Sequence, residues 1–170
     1  MKKMMVFIIA VIVFVGCEKK EKELNLNNFF PLGENRYSGG FEESNYEIIT
    51  EDLGGGKIKQ TILTAATAVT RVFKIEDEEV KLVFAGEEII TYIDGEQNIE
   101  EIVIKAPLAK GYKWSSNEKE FEILEFDGKK LVISKKFIDG ELITTYEAEK
   151  GIVQEIYKGD DFENVSKIIK

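Results

Sequence analysis

Residues 127–160 read DGKKLVISKKFIDGELITTYEAEKGIVQEIYKGD, and this stretch decides the fold. Turn-forming pairs divide it at Asp127-Gly128, Asp139-Gly140, Lys150-Gly151 and Gly159-Asp160. An Asp-Gly pair supplies the positive φ that tight hairpin turns require. The glycines at 128, 140, 151 and 159 stand 12, 11 and 8 residues apart, about one strand plus one turn each time. Within one such interval Leu142, Thr144, Tyr146 and Ala148 alternate with Glu141, Ile143, Thr145 and Glu147, the period of two that marks a strand. The C-terminal third is therefore expected to be a β-meander.

The same pattern extends upstream. Val80, Leu82 and Phe84 alternate with Glu79, Lys81 and Val83, and turn signals recur at Gly54-Gly55-Gly56, Glu76-Asp77-Glu78 and Asp94-Gly95. Strands are expected near 36–41, 45–51, 57–64, 67–75, 79–85, 88–93, 99–105, 118–126, 130–138, 141–148, 151–158 and 162–169. Only Thr61 to Val69, with its alanines, is ambiguous between strand and helix. The fold class is all-β and antiparallel. Some strands are apolar on both faces, as in Ile89-Thr91-Ile93 against Ile90-Tyr92 and Val153-Tyr157 against Ile152-Ile156. A single sheet with one wet face does not need that second set, so a curled sheet, half-barrel or sandwich is expected.

The only two prolines open similar phrases, Phe30-Pro31-Leu32-Gly33-Glu34-Asn35-Arg36-Tyr37 and Ala106-Pro107-Leu108-Ala109-Lys110-Gly111-Tyr112-Lys113-Trp114. Proline fixes φ and donates no hydrogen bond, which suits a position just before a strand. The phrases are read as punctuation that starts two segments, 31–106 and 107–170. Phe29, Phe30, Tyr37, Phe41, Tyr46, Tyr112 and Trp114 gather around them. Core packing is the ordinary role of such rings; if the two phrases meet in space, the rings could instead line a groove for an apolar ligand or for sugars.

The N-terminus has a different character. Lys2 and Lys3 precede ten uninterrupted apolar residues, Val6 to Val15, then Gly16, Cys17 and the charged run Glu18-Lys19-Lys20. A positive region, a short apolar core and a small residue at the cut make a signal peptide. The run is shorter than the roughly 17 residues a spanning helix needs. Val15-Gly16-Cys17, with Phe14 where an aliphatic is usual, resembles the end of a bacterial lipobox, in which the thiol becomes the lipid-acceptor N-terminus. The resemblance implies residues 1–16 as a lipoprotein signal peptide and Cys17 as the site of lipid attachment. Residues 17–28 are expected to form a flexible tether, since Glu18 to Asn28 carries too little apolar content to offset its ordering entropy. Residues 29–170 are then a single β-rich domain outside the cell, anchored to the outer face of the cytoplasmic membrane by two or more acyl chains.

Removing 16 of 170 residues leaves 154, enough for a self-sufficient core. The signal holds two of the 23 basic residues and none of the 32 acids, so the remainder carries 21 against 32, a net charge near −11. Such a surface repels anionic lipid head groups and nucleic acid, which argues against a nucleic-acid partner and leaves the acyl chains to hold the membrane.

The chain has no histidine and one cysteine. Triads with a histidine base, thiol nucleophiles and zinc sites thereby lose their usual side chains. Glu87-Glu88 and Glu100-Glu101 could supply a glycosidase-like carboxylate pair, with a solvated strand face as the ordinary alternative. Glu76-Asp77-Glu78-Glu79 and Asp160-Asp161 lack the alternating oxygen spacing of a calcium loop and read as acidic turns. Gly54-Gly55-Gly56-Lys57 lacks the ending of a phosphate-binding loop and reads as a hairpin turn. No catalytic residue, metal site or cofactor is expected.

Phe30-Pro31-Leu32, Asn35 and Tyr37, then Pro107-Leu108, Gly111 and Trp114, then Tyr146-Glu147-Ala148 leading to Gly151-Ile152-Val153 and Tyr157, together resemble a group of exported lipoproteins of Clostridia and related Firmicutes. That resemblance covers most of residues 29–170. It implies a β-rich envelope domain and no particular activity. The expected function is a membrane-anchored, non-enzymatic domain that binds or scaffolds another envelope component. A carrier of a lipid or other hydrophobic ligand in a curled-sheet cavity is the alternative, and a carboxylate-based cell-wall hydrolase a third.

Overall fold

A computed structural model describes residues 25–39, 45–87, 92–93 and 95–169. The expected signal segment, Cys17, Phe41 and Glu88 lie outside the described residues. Among the described residues, twelve strands follow one short 3-10 turn, Leu26–Phe29. The first six are β1 (Gly33–Gly39), β2 (Tyr46–Gly54), β3 (Lys57–Leu63), β4 (Ala68–Ile75), β5 (Glu79–Glu87) and β6 (Glu101–Lys105). The second six are β7 (Lys113–Ser116), β8 (Lys119–Phe126), β9 (Lys130–Phe137), β10 (Gly140–Glu147), β11 (Gly151–Lys158) and β12 (Glu163–Ile169).

All twelve belong to one antiparallel sheet, in the order β6-β5-β4-β3-β2-β1-β12-β11-β10-β9-β8-β7. Each half is a meander, and the halves correspond to the segments that Pro31 and Pro107 open. They are stitched together where β1 pairs with β12, from Arg36 opposite Ile169 to Gly39 opposite Ser166. Gly39 makes that joint possible: its φ is +85°, and a Cβ there would stand 2.1 Å from the Val165 carbonyl oxygen. The sheet curls until its two edge strands, β6 and β7, meet. It is a nearly closed barrel, which is the curled-sheet outcome.

The 3-10 turn plugs one end. Asn25 caps it by accepting a 3.0 Å hydrogen bond from the Asn27 amide, and the Asn28 carbonyl accepts one of 2.7 Å from Glu149 N in the β10–β11 turn. Leu26, Phe29 and Phe30 are buried in the main core. Leu26 and Phe29 recur three apart on one face of the turn, and both enter the core.

Two strand expectations differ within the described residues. Only Tyr92 and Ile93 of the strand expected at 88–93 fall within the described residues, and neither is in a strand. Tyr92 meets Phe84 edge-on at 5.2 Å and helps cover Val72, Val83 and Phe84, which form a second apolar cluster. Tyr92 thus lies over the apolar second face of β4 and β5. Strand β7 was not expected, because its turn into β8 contains no glycine. Asn117 and Glu118 both have positive φ, 49° and 60°, the conformation of a type I′ two-residue hairpin.

Candidate functional site

The barrel interior contains a cavity of about 340 Å³. Its position follows from strand direction. The plug and the turns after β2, β4, β8 and β10 crowd one end, so Phe30, Phe73 and Tyr146 form an apolar floor there, with Phe30 5.2 Å from Phe73 and 6.1 Å from Tyr146. Leu82, Val103, Phe121, Ile133 and Ile152 continue the apolar wall. Toward the other end the lining becomes polar, with Gln60, Arg71, Lys119, Lys135, Glu87, Glu101, Thr144 and Glu155.

Strand register organises these polar groups. Thr50, Gln60, Arg71 and Ala85 lie directly opposite one another across β2, β3, β4 and β5. Thr144, Glu155 and Ser166 form a second row across β10, β11 and β12. In the second row Thr144 Oγ1 and the Tyr46 hydroxyl donate to Glu155 at 3.5 and 3.4 Å, and the Tyr46 hydroxyl also lies 2.9 Å from Ser166 Oγ. The first row is less satisfied. Gln60 is 5% exposed, its Nε2 reaches Thr50 Oγ1 at 3.4 Å, and its Oε1 has no hydrogen-bond partner among the described residues. Arg71 beside it makes no ion pair or hydrogen bond to any described residue, although its charge acts at longer range on Tyr46, Tyr146 and Lys135.

A third group closes the edge of the barrel. Glu101 on β6 is fully buried; Lys119 on β8 donates to its Oε2, and Lys135 on β9 donates to its Oε1 at 3.2 Å. Burial alone would raise the Glu101 pKa, but the two ammonium groups outweigh it and hold the carboxyl below its usual range. Burial also lowers the Lys135 pKa, more than Glu101 raises it. Beside this triad the Ile102 amide donates to Ser116 Oγ at 2.7 Å, and Trp114 Nε1 donates to the Ile102 carbonyl at 2.8 Å. Side chains thus latch β6 to β7.

The aromatic residues singled out by sequence do not form one groove. Phe30 lines the cavity. Tyr37 and Tyr46 stack at 4.8 Å on β1 and β2, and the Tyr37 hydroxyl donates to the Ile152 carbonyl at 2.8 Å. Burial raises the pKa of both tyrosines, so they remain neutral donors. Tyr112 and Trp114 belong to the seam, where Trp114 stacks on Phe121 at 5.1 Å. The two phrases stand apart because β1 lies mid-sheet and β7 at its edge. Glu101, expected on a solvated face, is instead a buried anchor.

Gln60, Arg71 and Lys135 were not anticipated, yet each carries a legible signal: it rides on the apolar face of an alternating strand. Ile58, Gln60 and Ile62 share a face, as do Val69, Arg71 and Phe73, and Leu131, Ile133 and Lys135. No group of three or more metal-ligating side chains occurs among the described residues. Nor is any helix among them long and apolar enough to cross a membrane. Comparison with protein-family models, curated proteins and solved structures finds no match for this chain.

Proposed function

We propose that this chain is an exported lipoprotein whose barrel-like domain, held outside the membrane through Cys17, binds a small amphipathic molecule in its interior without transforming it. The anchoring half of this reading rests on the sequence from Lys2 to Cys17. The binding half is carried by one observation, the cavity of about 340 Å³ with an apolar floor and a polar upper wall. Small-molecule sites occupy roughly 300 to 1,000 Å³ and combine apolar walls with a few placed polar groups. A purely apolar acyl carrier is less well supported, because charged side chains reach the lining. A hydrolase would need one carboxyl with a raised pKa to act as general acid. Glu101 has the opposite shift, which does not fit that role.

The chain enters the domain at the plugged end. On this reading the tether sets that end toward the bilayer and the polar mouth away from it. Native mass spectrometry of the full chain extracted from producing cells tests the binding half; the expected result is a population heavier than the lipidated protein by one small molecule, and a uniformly unliganded protein would contradict it. Metabolic labelling with a palmitate analogue tests the anchor: label is expected on the wild type and absent from Cys17→Ser.

A further inference from the structure

The polar row above the floor is incomplete in a way that specifies chemistry. A buried amide oxygen without a donor costs free energy unless something supplies one. Gln60 Oε1 is such an oxygen, and it lines the cavity. Arg71, its cross-strand neighbour, presents a guanidinium with no carboxylate bound to it among the described residues. A guanidinium fork matches the two oxygens of a carboxylate, and it stays charged at any physiological pH. The carboxylates already in the cavity do not take this place. Glu101 is held by Lys119 and Lys135, Glu155 sits in the opposite row, hydrogen-bonded to Tyr46 and Thr144, and Glu87 lies exposed at the end of β5, opposite Val69 and not paired with Arg71. An occupant therefore meets a cation and an adjacent acceptor on one wall, a second acceptor across from them, and aromatic rings below.

Resting on the binding reading above, we infer that the cavity takes a small acid with an N–H or O–H donor next to its carboxylate and an apolar, preferably aromatic, body: the carboxylate on Arg71, the donor on Gln60 Oε1, and the apolar part on Phe30, Phe73 and Tyr146. N-acylated amino acids and aromatic hydroxy acids share this chemistry. The cavity of about 340 Å³, near the lower end of the range for small-molecule sites, admits a molecule of roughly 12 to 18 heavy atoms.

Isothermal titration of the full chain with three probes of similar size tests the assignment. N-benzoylglycine has the acid, the donor and the ring; N-benzoylglycinamide lacks the charge; 4-phenylbutyrate lacks the donor. Trp114 fluorescence gives a second readout, since its ring stacks on the cavity residue Phe121. The expected order is N-benzoylglycine tightest, with the amide and the phenylbutyrate each weaker by about tenfold, the scale of one charge-assisted or buried hydrogen bond. Arg71→Met should erase the preference for the acid over its amide, and Gln60→Met the preference over phenylbutyrate. Arg71→Lys, which keeps the cation and loses the fork, should fall between, and a thermal melt verifies that each variant folds. Equal binding of all three probes, or an acid preference that survives Arg71→Met, would overturn the ligand class and leave the cavity as a binding site. Failure of every probe to bind the folded wild type would overturn both.

Discussion

The two joints that hold the halves of this barrel together are built differently. Where β1 meets β12 the main chain does most of the work: four pairs of described residues are in register, Gly39 permits a close backbone approach, and the Tyr37 and Tyr46 hydroxyls cross the joint to the Ile152 carbonyl and Ser166 Oγ. Where β6 meets β7 the closure is made by Ser116, Trp114 and the Glu101 triad. Main-chain pairing depends little on side-chain identity, whereas a side-chain latch depends on particular residues and their ionisation. Glu101, Lys119 and Lys135 also line the cavity. One joint is thus held mainly by main-chain pairing, while the other depends on particular side chains that also line the cavity. The expected consequence is that the side-chain seam opens first and responds to pH and ligand, and that the main-chain joint does not.

The largest expected effect comes from Glu101→Gln. Removing the carboxylate leaves two ammonium groups facing each other in a partly buried site, and breaking a buried pair from one side costs about 3 to 5 kcal/mol. Both lysines keep some access to water, so the lower end of that range is expected from urea unfolding. Gly39→Ala attacks the other joint. A Cβ 2.1 Å from the Val165 carbonyl oxygen forces the backbone apart at a left-handed φ, a loss of about 2 kcal/mol. This variant should weaken overall stability without changing its pH dependence. Ser116→Ala removes the acceptor for the Ile102 amide and should cost about 1 kcal/mol, with faster amide exchange confined to β6 and β7.

The pH dependence separates the joints further. The folded pKa of Glu101 lies below that of an unfolded glutamate, about 4.3. Its contribution is therefore fully present above that value and is lost as pH falls through the lower, folded one. Melting temperature followed from pH 6 to pH 3 should show a loss in the wild type at the acid end. The part of that loss due to Glu101 should be missing in Glu101→Gln and unchanged in Gly39→Ala.

Much of this architecture was legible from turn chemistry. Asp127-Gly128 and Lys150-Gly151 fixed the C-terminal hairpins, Gly54-Gly55-Gly56 fixed another, and Pro31 and Pro107 marked the start of the two meanders. The Asn117-Glu118 turn was not legible, because residues other than glycine adopt positive φ there and no punctuation shows. The site was hidden for a related reason. Gln60, Arg71 and Lys135 belong to residue types that normally face water, and only their phase with Ile58, Phe73 and Ile133 places them inside. Glu101 was harder still: β6 is five residues long and its register against β5 shifts at Val80/Lys81, so alternation alone cannot assign its face. The partners of Glu101 come from β8 and β9, which only the closure of the sheet brings near.

The central claim is that the latched seam forms a wall of a ligand-binding interior. Amide hydrogen exchange of the full chain, with and without saturating N-benzoylglycine, tests it most directly. The account predicts slower exchange on binding at β6, β7 and the Gln60–Arg71 pairing, with little change where β1 meets β12. Saturation of the protein with protection spread evenly over both joints, or with none at the seam, would contradict it.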